Sequence, residues 1–265
     1  MTDAIRASAE RQLGIMRRNF SGRSEFRQAS EAEFPHINFV PYRLTGRLLE
    51  AEGFRHLVDL ENLRTLEPDR QFKRTLSRWW VSGDGSAVAG HFQTRPFLGR
   101  KLRDLLTGLK NLRWVAASRW FARSVLPREH VGFTTELDDG RFVTTSNAFL
   151  AGTLSGSPSV DHDFLPNGTP PHWLWWSQRE RVAALLAASP GVHVRPFQSV
   201  QDLIASMHRF EAAREAYRES VGWVTLQELR RMSSRRWLAE AIYEQVQVIL
   251  RKERASSTRE TNGAG

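Results

Sequence analysis

Apolar and polar positions alternate most regularly over residues 130–137 and 141–147, two β-type runs joined by Asp139-Gly140. Glycine adopts positive φ without strain and Asp tolerates it, so this dipeptide suits a two-residue type I′ hairpin loop. Counting outward from that loop pairs Leu137 with Phe142, Thr135 with Thr144 and Phe133 with Ser146 on an apolar face. Glu136 then pairs with Val143, and Thr134 with Thr145, on a mostly polar one. A three-residue loop starting at Asp138 is the competing geometry, and it shifts every pair. A second hairpin follows from residues 77–81 and 87–92 around Gly83-Asp84-Gly85-Ser86. Upstream, Phe54, His56, Val58 and Leu60 alternate with Arg55, Asp59 and Glu61, which predicts a half-buried strand. The runs together predict an antiparallel meander with one face that helices must cover.

Elsewhere the period changes to that of a helix. Residues 44–52 predict a short helix closed by Gly53. Between the hairpins, Leu98, Leu102, Leu105, Leu109, Leu112 and Ala116 recur at spacings of three and four, forming one stripe with Arg100, Arg103 and Lys110 opposite. Gly108 and Asn111 weaken that helix midway, and Trp114 and Phe121 fall off the stripe. Residues 97–128 therefore predict a basic helical insertion into the sheet. A stretch rich in Gly, Ser and Pro over residues 152–171 reads as a surface loop that leads to Trp173, Trp175 and Trp176 and to a helix over 177–188. Ser199 with Asp202 opens a further helix that Gly222 ends, and Thr225 with Glu228 forms a capping box for the next. Leu238, Ile242, Val246 and Ile249 continue an apolar stripe.

Residues 1–30 show few apolar anchors and predict a flexible or loosely helical lead-in; from residue 255 the chain is polar and predicts a disordered tail. The expected fold is a single α+β domain over residues 31–254. Its antiparallel sheet has about five strands, is rich in hairpins, carries the basic insertion and is packed by the C-terminal helices.

Composition narrows the class. A hydrophobic content of 40% over 265 residues is that of an ordinary globular protein with enough chain for a sizeable core. The absence of cysteine excludes disulfides, thiolate nucleophiles and cysteine-ligated metal centres, and fits a reducing compartment. The start of the chain lacks the apolar core of a signal peptide, and no run approaches the roughly 20 apolar residues of a spanning helix, so the expectation is a cytoplasmic protein.

The net charge of +9 is unevenly spread: Arg100, Lys101, Arg103, Lys110, Arg113, Arg119, Arg123 and Arg128 stand against the single acid Asp104, a local +7. With Trp114 and Trp120 among them, these residues are candidates for surface binding. Their pattern fits in-plane docking on an anionic bilayer. It equally fits a helix that covers the sheet with its arginines in water, or a nucleic-acid surface on which arginines neutralise phosphates and aromatics stack on bases. Trp173, Trp175 and Trp176, preceded by Pro170-Pro171, form either a recognition patch or a wedge that holds the loop on the core.

The remaining constellations point to no chemistry. Asp161-His162-Asp163, with His172 nearby, offers oxygen and nitrogen ligands, but the spacing matches no defined metal site and extended backbone turns neighbours to opposite sides. Gly152-Thr153-Leu154-Ser155-Gly156 does not meet the Gly-x-Ser-x-Gly pattern of a hydrolase elbow. Gly83, Gly85 and Gly90 are followed by no Gly-Lys-Ser/Thr. His56 and His91 sit in strands that can set them facing each other, and Glu136 beside Thr134 and Thr145 reads as the polar face of a sheet. No catalytic residue, cofactor or metal is assigned.

Residues 132–147, with a strand, an acidic-Gly turn and a Thr-Thr-Ser-Asn ending, resemble a signature of a group of bacterial proteins of unknown function. Leu49-Glu50-Ala51-Glu52-Gly53-Phe54 and the helix near 177–188 are similar to that group's layout, over residues 45–235. The resemblance implies this fold layout, and neither an activity nor site residues. The expected function is a non-catalytic accessory or protein-interaction protein, peripheral to an anionic membrane surface. A non-specific nucleic-acid binder and an enzyme with an unrecognised site remain as alternatives.

Overall fold

The computed structural model describes residues 2–66, 74–94, 128–148, 156–233 and 235–263. Among them the elements run α1 (Thr2–Phe20), β1 (Phe26–Gln28), α2 (Val40–Ala51), β2 (Arg55–Asn62), β3 (Leu76–Val81), β4 (Val88–Thr94), β5 (Arg128–Glu136), β6 (Phe142–Ser146) and β7 (Val160–Phe164). The helices α3 (Pro171–Ala187), α4 (Val200–Ser220), α5 (Leu226–Met232) and α6 (Arg236–Gly263) follow. The described residues fall into two compact units, one drawn from Met1–Arg23, Leu150–Val160 and His208–Gly265, the other from Ser24–Phe149 and Asp161–Met207.

The fold is α+β, with one sheet of seven strands in chain order in which β1 through β6 pair antiparallel. The expected meander is there, but with seven strands where about five were predicted. The two extra strands lie at the edges. β1 is three residues long, and β7 is Val160-Asp161-His162-Asp163-Phe164, placed by its composition in a loop. Short or charged strands are how a sheet edge avoids pairing with another chain, and both lack the apolar alternation that marks an inner strand.

The β5–β6 register is that of the three-residue loop. Leu137 N donates to Arg141 O at 2.8 Å and Gly140 N to Leu137 O at 3.1 Å. Thr134 pairs with Thr144, Thr135 with Val143 and Glu136 with Phe142, one residue away from the type I′ pairing. Gly140 takes φ +87°, the left-handed conformation this bulged loop needs from its last residue. A slip of one residue turns every β6 side chain to the other face. Val143 and Thr145 therefore share a face with Phe133 and Thr135, whereas Phe142 lies opposite the buried Glu136.

Both faces of the sheet are buried, where one was expected to need cover. On one, Trp80, Ala89, Val131 and Phe133 meet Leu49 of α2 and Leu174 of α3. On the other, Val58, Leu60, Val81 and Val88 meet Phe197 and Leu203, the latter from the first turn of α4. Trp79 lies on this second face across Gly90, where a Cβ would stand 2.7 Å from the indole. The helices begin earlier than the periodicity suggests: α2 at Val40 and α3 at Pro171, each with proline in its first turn, where no backbone N–H is required. The later caps match expectation. Asp202 Oδ2 accepts from Ser199 N and Oγ, both at 2.9 Å, and Thr225 N donates to Glu228 Oε2 at 2.8 Å while Glu228 N donates to Thr225 Oγ1 at 3.2 Å.

The other unit is helical. Ala9, Leu13, Met16 and Phe20 line α1 at helical spacing and share a core with Ala239, Ile242, Val246 and Leu250 of α6. α1 occupies part of the region read as a loosely held lead-in, and α6 runs past residue 255. Arg17 pairs with Glu253 at 2.6 Å. Arg218 and Glu228 form a buried pair at 2.7 Å, with the Arg218 guanidinium 4.8 Å from the centre of the Phe20 ring. No helix among the described residues is long and apolar enough to cross a membrane.

Gly90→Ala drives a methyl group into Trp79. Overpacking of this kind costs about 1–3 kcal/mol, so urea unfolding followed by circular dichroism should show a lower midpoint at unchanged slope. An unchanged midpoint contradicts the seating of Trp79 on Gly90.

Candidate functional site

α3 separates the three candidate tryptophans. Leu174 and Gln178 define its buried side. Trp175 lies next to that side, stacked on Phe133 at 5.4 Å and edge-on to Phe54 at 4.9 Å, with the Arg179 guanidinium 5.9 Å from its centre. Trp173 and Trp176, three residues apart and so on one side of the helix, are 54% and 57% exposed. Their rings meet edge to face at 6.0 Å, and His172 lies 5.6 Å from Trp173. One indole thus serves as the wedge and two form a patch. The other surface candidates, Arg100, Lys101, Arg103, Lys110, Arg113, Trp114, Arg119, Trp120 and Arg123, lie outside the described residues.

A polar seam fixes α3 on the sheet. The fully buried Gln178 accepts from Thr145 Oγ1 at 2.8 Å through Oε1 and donates through Nε2 to Val143 O at 2.8 Å and to Thr135 Oγ1 at 3.1 Å. Arg181 donates to Thr144 O at 2.6 Å and pairs with Asp161 of β7 at 2.6 Å. A buried amide with every bond made specifies one helix position, because sliding the helix strands its polar atoms. The Trp173–Trp176 pair is therefore carried on a fixed platform.

Asp161, His162 and Asp163 diverge along β7: Asp161 to Arg181, His162 Nε2 to Ser146 Oγ at 3.1 Å, and Asp163 to Ser177 Oγ at 3.4 Å. Among the described residues no group of three His, Cys, Asp or Glu is placed to hold a metal ion. The Ser146–His162 pair went unread in the sequence, since sixteen residues and a strand pairing separate its members. The His162 ring also stacks on Phe164 at 3.7 Å. In this geometry an imidazole nitrogen can take the hydroxyl proton.

His56 and His91 do not face each other. The register sets His56 opposite Trp80, hydrogen-bonded to Asp59 at 3.1 Å, and His91 opposite Arg78. His91 is fully buried and stacked on Tyr42 at 4.2 Å, and its ring nitrogens have no hydrogen-bond partner among the described residues. Burial, with the nearby Arg78 guanidinium and the His130 ring adding to it, pushes its pKa down to about 3. Beside it Arg78 bridges Asp59 at 2.6 Å and Glu31 at 2.9 Å, and the fully buried Glu61 is held below the usual carboxylate range by its bonds to Arg74 and then Arg27. Glu136, read as part of a polar face, is buried and paired with Arg195 at 3.1 Å. His91 is thus held in the core as a neutral ring, and the buried Glu61 and Glu136 are closed in ion pairs, which is structural use of charge.

Unfolded His91 takes up a proton near 6.5, whereas the folded group refuses it until about 3. Its contribution to stability is therefore complete above 6.5 and lost as pH falls from 6.5 toward 3, by at most about 1.4 kcal/mol per unit. His91→Phe keeps the stack on Tyr42 and should flatten unfolding free energy against pH over that window relative to wild type. Equal slopes would contradict the burial of a neutral imidazole.

Comparisons with protein-family models, with curated proteins and with solved structures find no match to this chain.

Proposed function

We propose that this chain is a non-catalytic accessory protein that works by contact, holding a partner protein against Trp173 and Trp176 at the head of α3. The observation that carries this reading is the exposure of two tryptophans on one side of a helix that is otherwise anchored. Tryptophan leads among the residues that dominate binding interfaces, and a rigid platform lowers the entropy cost of docking. The cationic stretch over residues 100–128 supports an anionic surface, such as the cytoplasmic leaflet of a membrane, as a second contact. A nucleic-acid partner draws its support from the same cations and from the tryptophans among them.

A second reading has its own observation. The Ser146 Oγ to His162 Nε2 distance of 3.1 Å supports an enzyme in which His162 deprotonates Ser146 for attack on an acyl carbon.

Two tests separate the readings. Trp173→Ala with Trp176→Ala removes exposed rings and should leave unfolding free energy within about 0.5 kcal/mol of wild type. In matched affinity captures from the native cytosol, the proteins held by wild type should fall at least tenfold on the double variant, and equal retention contradicts the docking role. For the second reading, a fluorophosphonate probe should label wild type at Ser146 and leave Ser146→Ala unlabelled; no labelling of wild type removes the enzyme reading.

A further inference from the structure

The corner between α5 and α6 reads Arg230-Arg231-Met232-Ser233-Ser234-Arg235-Arg236-Trp237, and over residues 230–240 its arginines stand against one acid, Glu240. That acid is already taken. Arg230 of α5 and Arg236 of α6 both donate to Glu240 Oε1, at 2.6 Å and 3.3 Å, so one carboxylate ties the two helices together. Arg231 and Arg235 are exposed and have no ion pair among the described residues. Cations at the end of α5 suit its dipole, whereas Arg235 and Arg236 at the start of α6 oppose that helix's dipole, so helix stability does not account for them.

Two large apolar side chains share the corner. Met232 closes α5 and is 44% exposed, and Trp237 in the first turn of α6 is 51% exposed. The core uses neither of them: α6 turns Ala239, Ile242 and Val246 to the helical core, and α5 turns Leu229. Trp237 precedes Ala239 by two residues and so stands about 200° from it around the helix. Ser233 fixes the backbone between the two apolar residues, its Oγ accepting from Arg235 N at 3.1 Å and donating to Arg235 O at 3.0 Å.

We propose that this corner docks on an anionic lipid surface, with Arg231 and Arg235 on headgroup phosphates and with Met232 and Trp237 at the boundary between headgroups and acyl chains. Unpaired guanidiniums complement the charge of such a surface, and apolar side chains among them supply the burial that holds a protein there. Tryptophan is a residue that settles at headgroup depth. A nucleic acid would use the arginines and stack a base on Trp237, but it offers nothing to Met232, which has no ring. The inference stands on this corner alone and is independent of the roles given to residues 100–128 and to Trp173 and Trp176.

The test is sedimentation of the full-length protein with vesicles of phosphatidylcholine and phosphatidylserine in equal parts, against vesicles of phosphatidylcholine alone. Wild type should sediment with the anionic vesicles only, and less as salt rises. A basic residue near such a surface is worth about fivefold in binding, so Arg231→Gln with Arg235→Gln, which leaves the Glu240 pairs intact, should weaken binding at least tenfold. Met232→Ser with Trp237→Ser should weaken it at least fivefold. All four side chains are exposed, so both variants should keep the circular dichroism of wild type. Wild type left in the supernatant, equal binding to both vesicle types, or full binding kept by either variant overturns the proposal. Where both variants keep full binding, loss on Arg103→Glu with Lys110→Glu assigns the lipid contact to residues 100–128 instead. A single-stranded oligonucleotide held more tightly than the vesicles, with the same loss on the arginine variant, makes nucleic acid the occupant and also overturns it.

Discussion

Gly140, held at φ +87°, closes β5 on β6 through the three-residue loop Asp138-Asp139-Gly140, and the architecture of the sheet unit depends on that closure. The loop length places Val143 and Thr145 on the face that α3 covers. Gln178 then finds Thr145 Oγ1, Thr135 Oγ1 and Val143 O within 3.1 Å, and all three bonds are buried. With the two-residue loop, Thr145 would turn to the opposite face and Gln178 would lose its best acceptor-donor match. A leftover polar atom in a buried seam costs about 1–3 kcal/mol, enough to choose one register over the other.

That choice also explains how charge is used inside this unit. Where packing covers a face, an ionisable side chain on an inner strand is taken from water and must be paired or neutral. Glu61, Asp59 and Glu136 are paired with arginines, and His91 is neutral against Tyr42. The strong pKa displacement at His91 thus has a packing origin. The segment after α3 closes the arrangement: Arg195 N donates to Glu136 O and Phe197 N to Gly85 O, both at 2.8 Å, pinning the two hairpins from outside.

The inner strands and the later helix caps were legible because each is written locally. Gly83-Asp84-Gly85-Ser86 makes a turn by itself, and Thr225 with Glu228 makes a cap by itself. The edge strands were not legible, since Phe26-Arg27-Gln28 and Val160-Asp161-His162-Asp163-Phe164 gain their conformation from the neighbouring strand rather than from their own pattern. The α1 stripe of Ala9, Leu13, Met16 and Phe20 was present at helical spacing but diluted by arginine and serine. At the candidate site, the three tryptophans were visible as a cluster. Their division needed the start of α3, because moving a helix boundary from 177 to Pro171 sets Trp175 toward the sheet and Trp173 and Trp176 away from it. Ser146–His162 was hidden for a simpler reason: only the pairing at the β6 edge brings the two together.

The account therefore turns on two neighbouring indoles with different surroundings, Trp175 half-buried against the core and Trp176 in water, on a helix that a buried amide holds still. Hydroxyl-radical footprinting with residue-level mass spectrometry measures this directly. Trp173 and Trp176 should oxidise at least several times faster than Trp175 and the fully buried Trp80. Equal rates at Trp175 and Trp176, or protection of Trp173 and Trp176 in the isolated protein, would contradict a fixed α3 that offers a tryptophan pair to a partner.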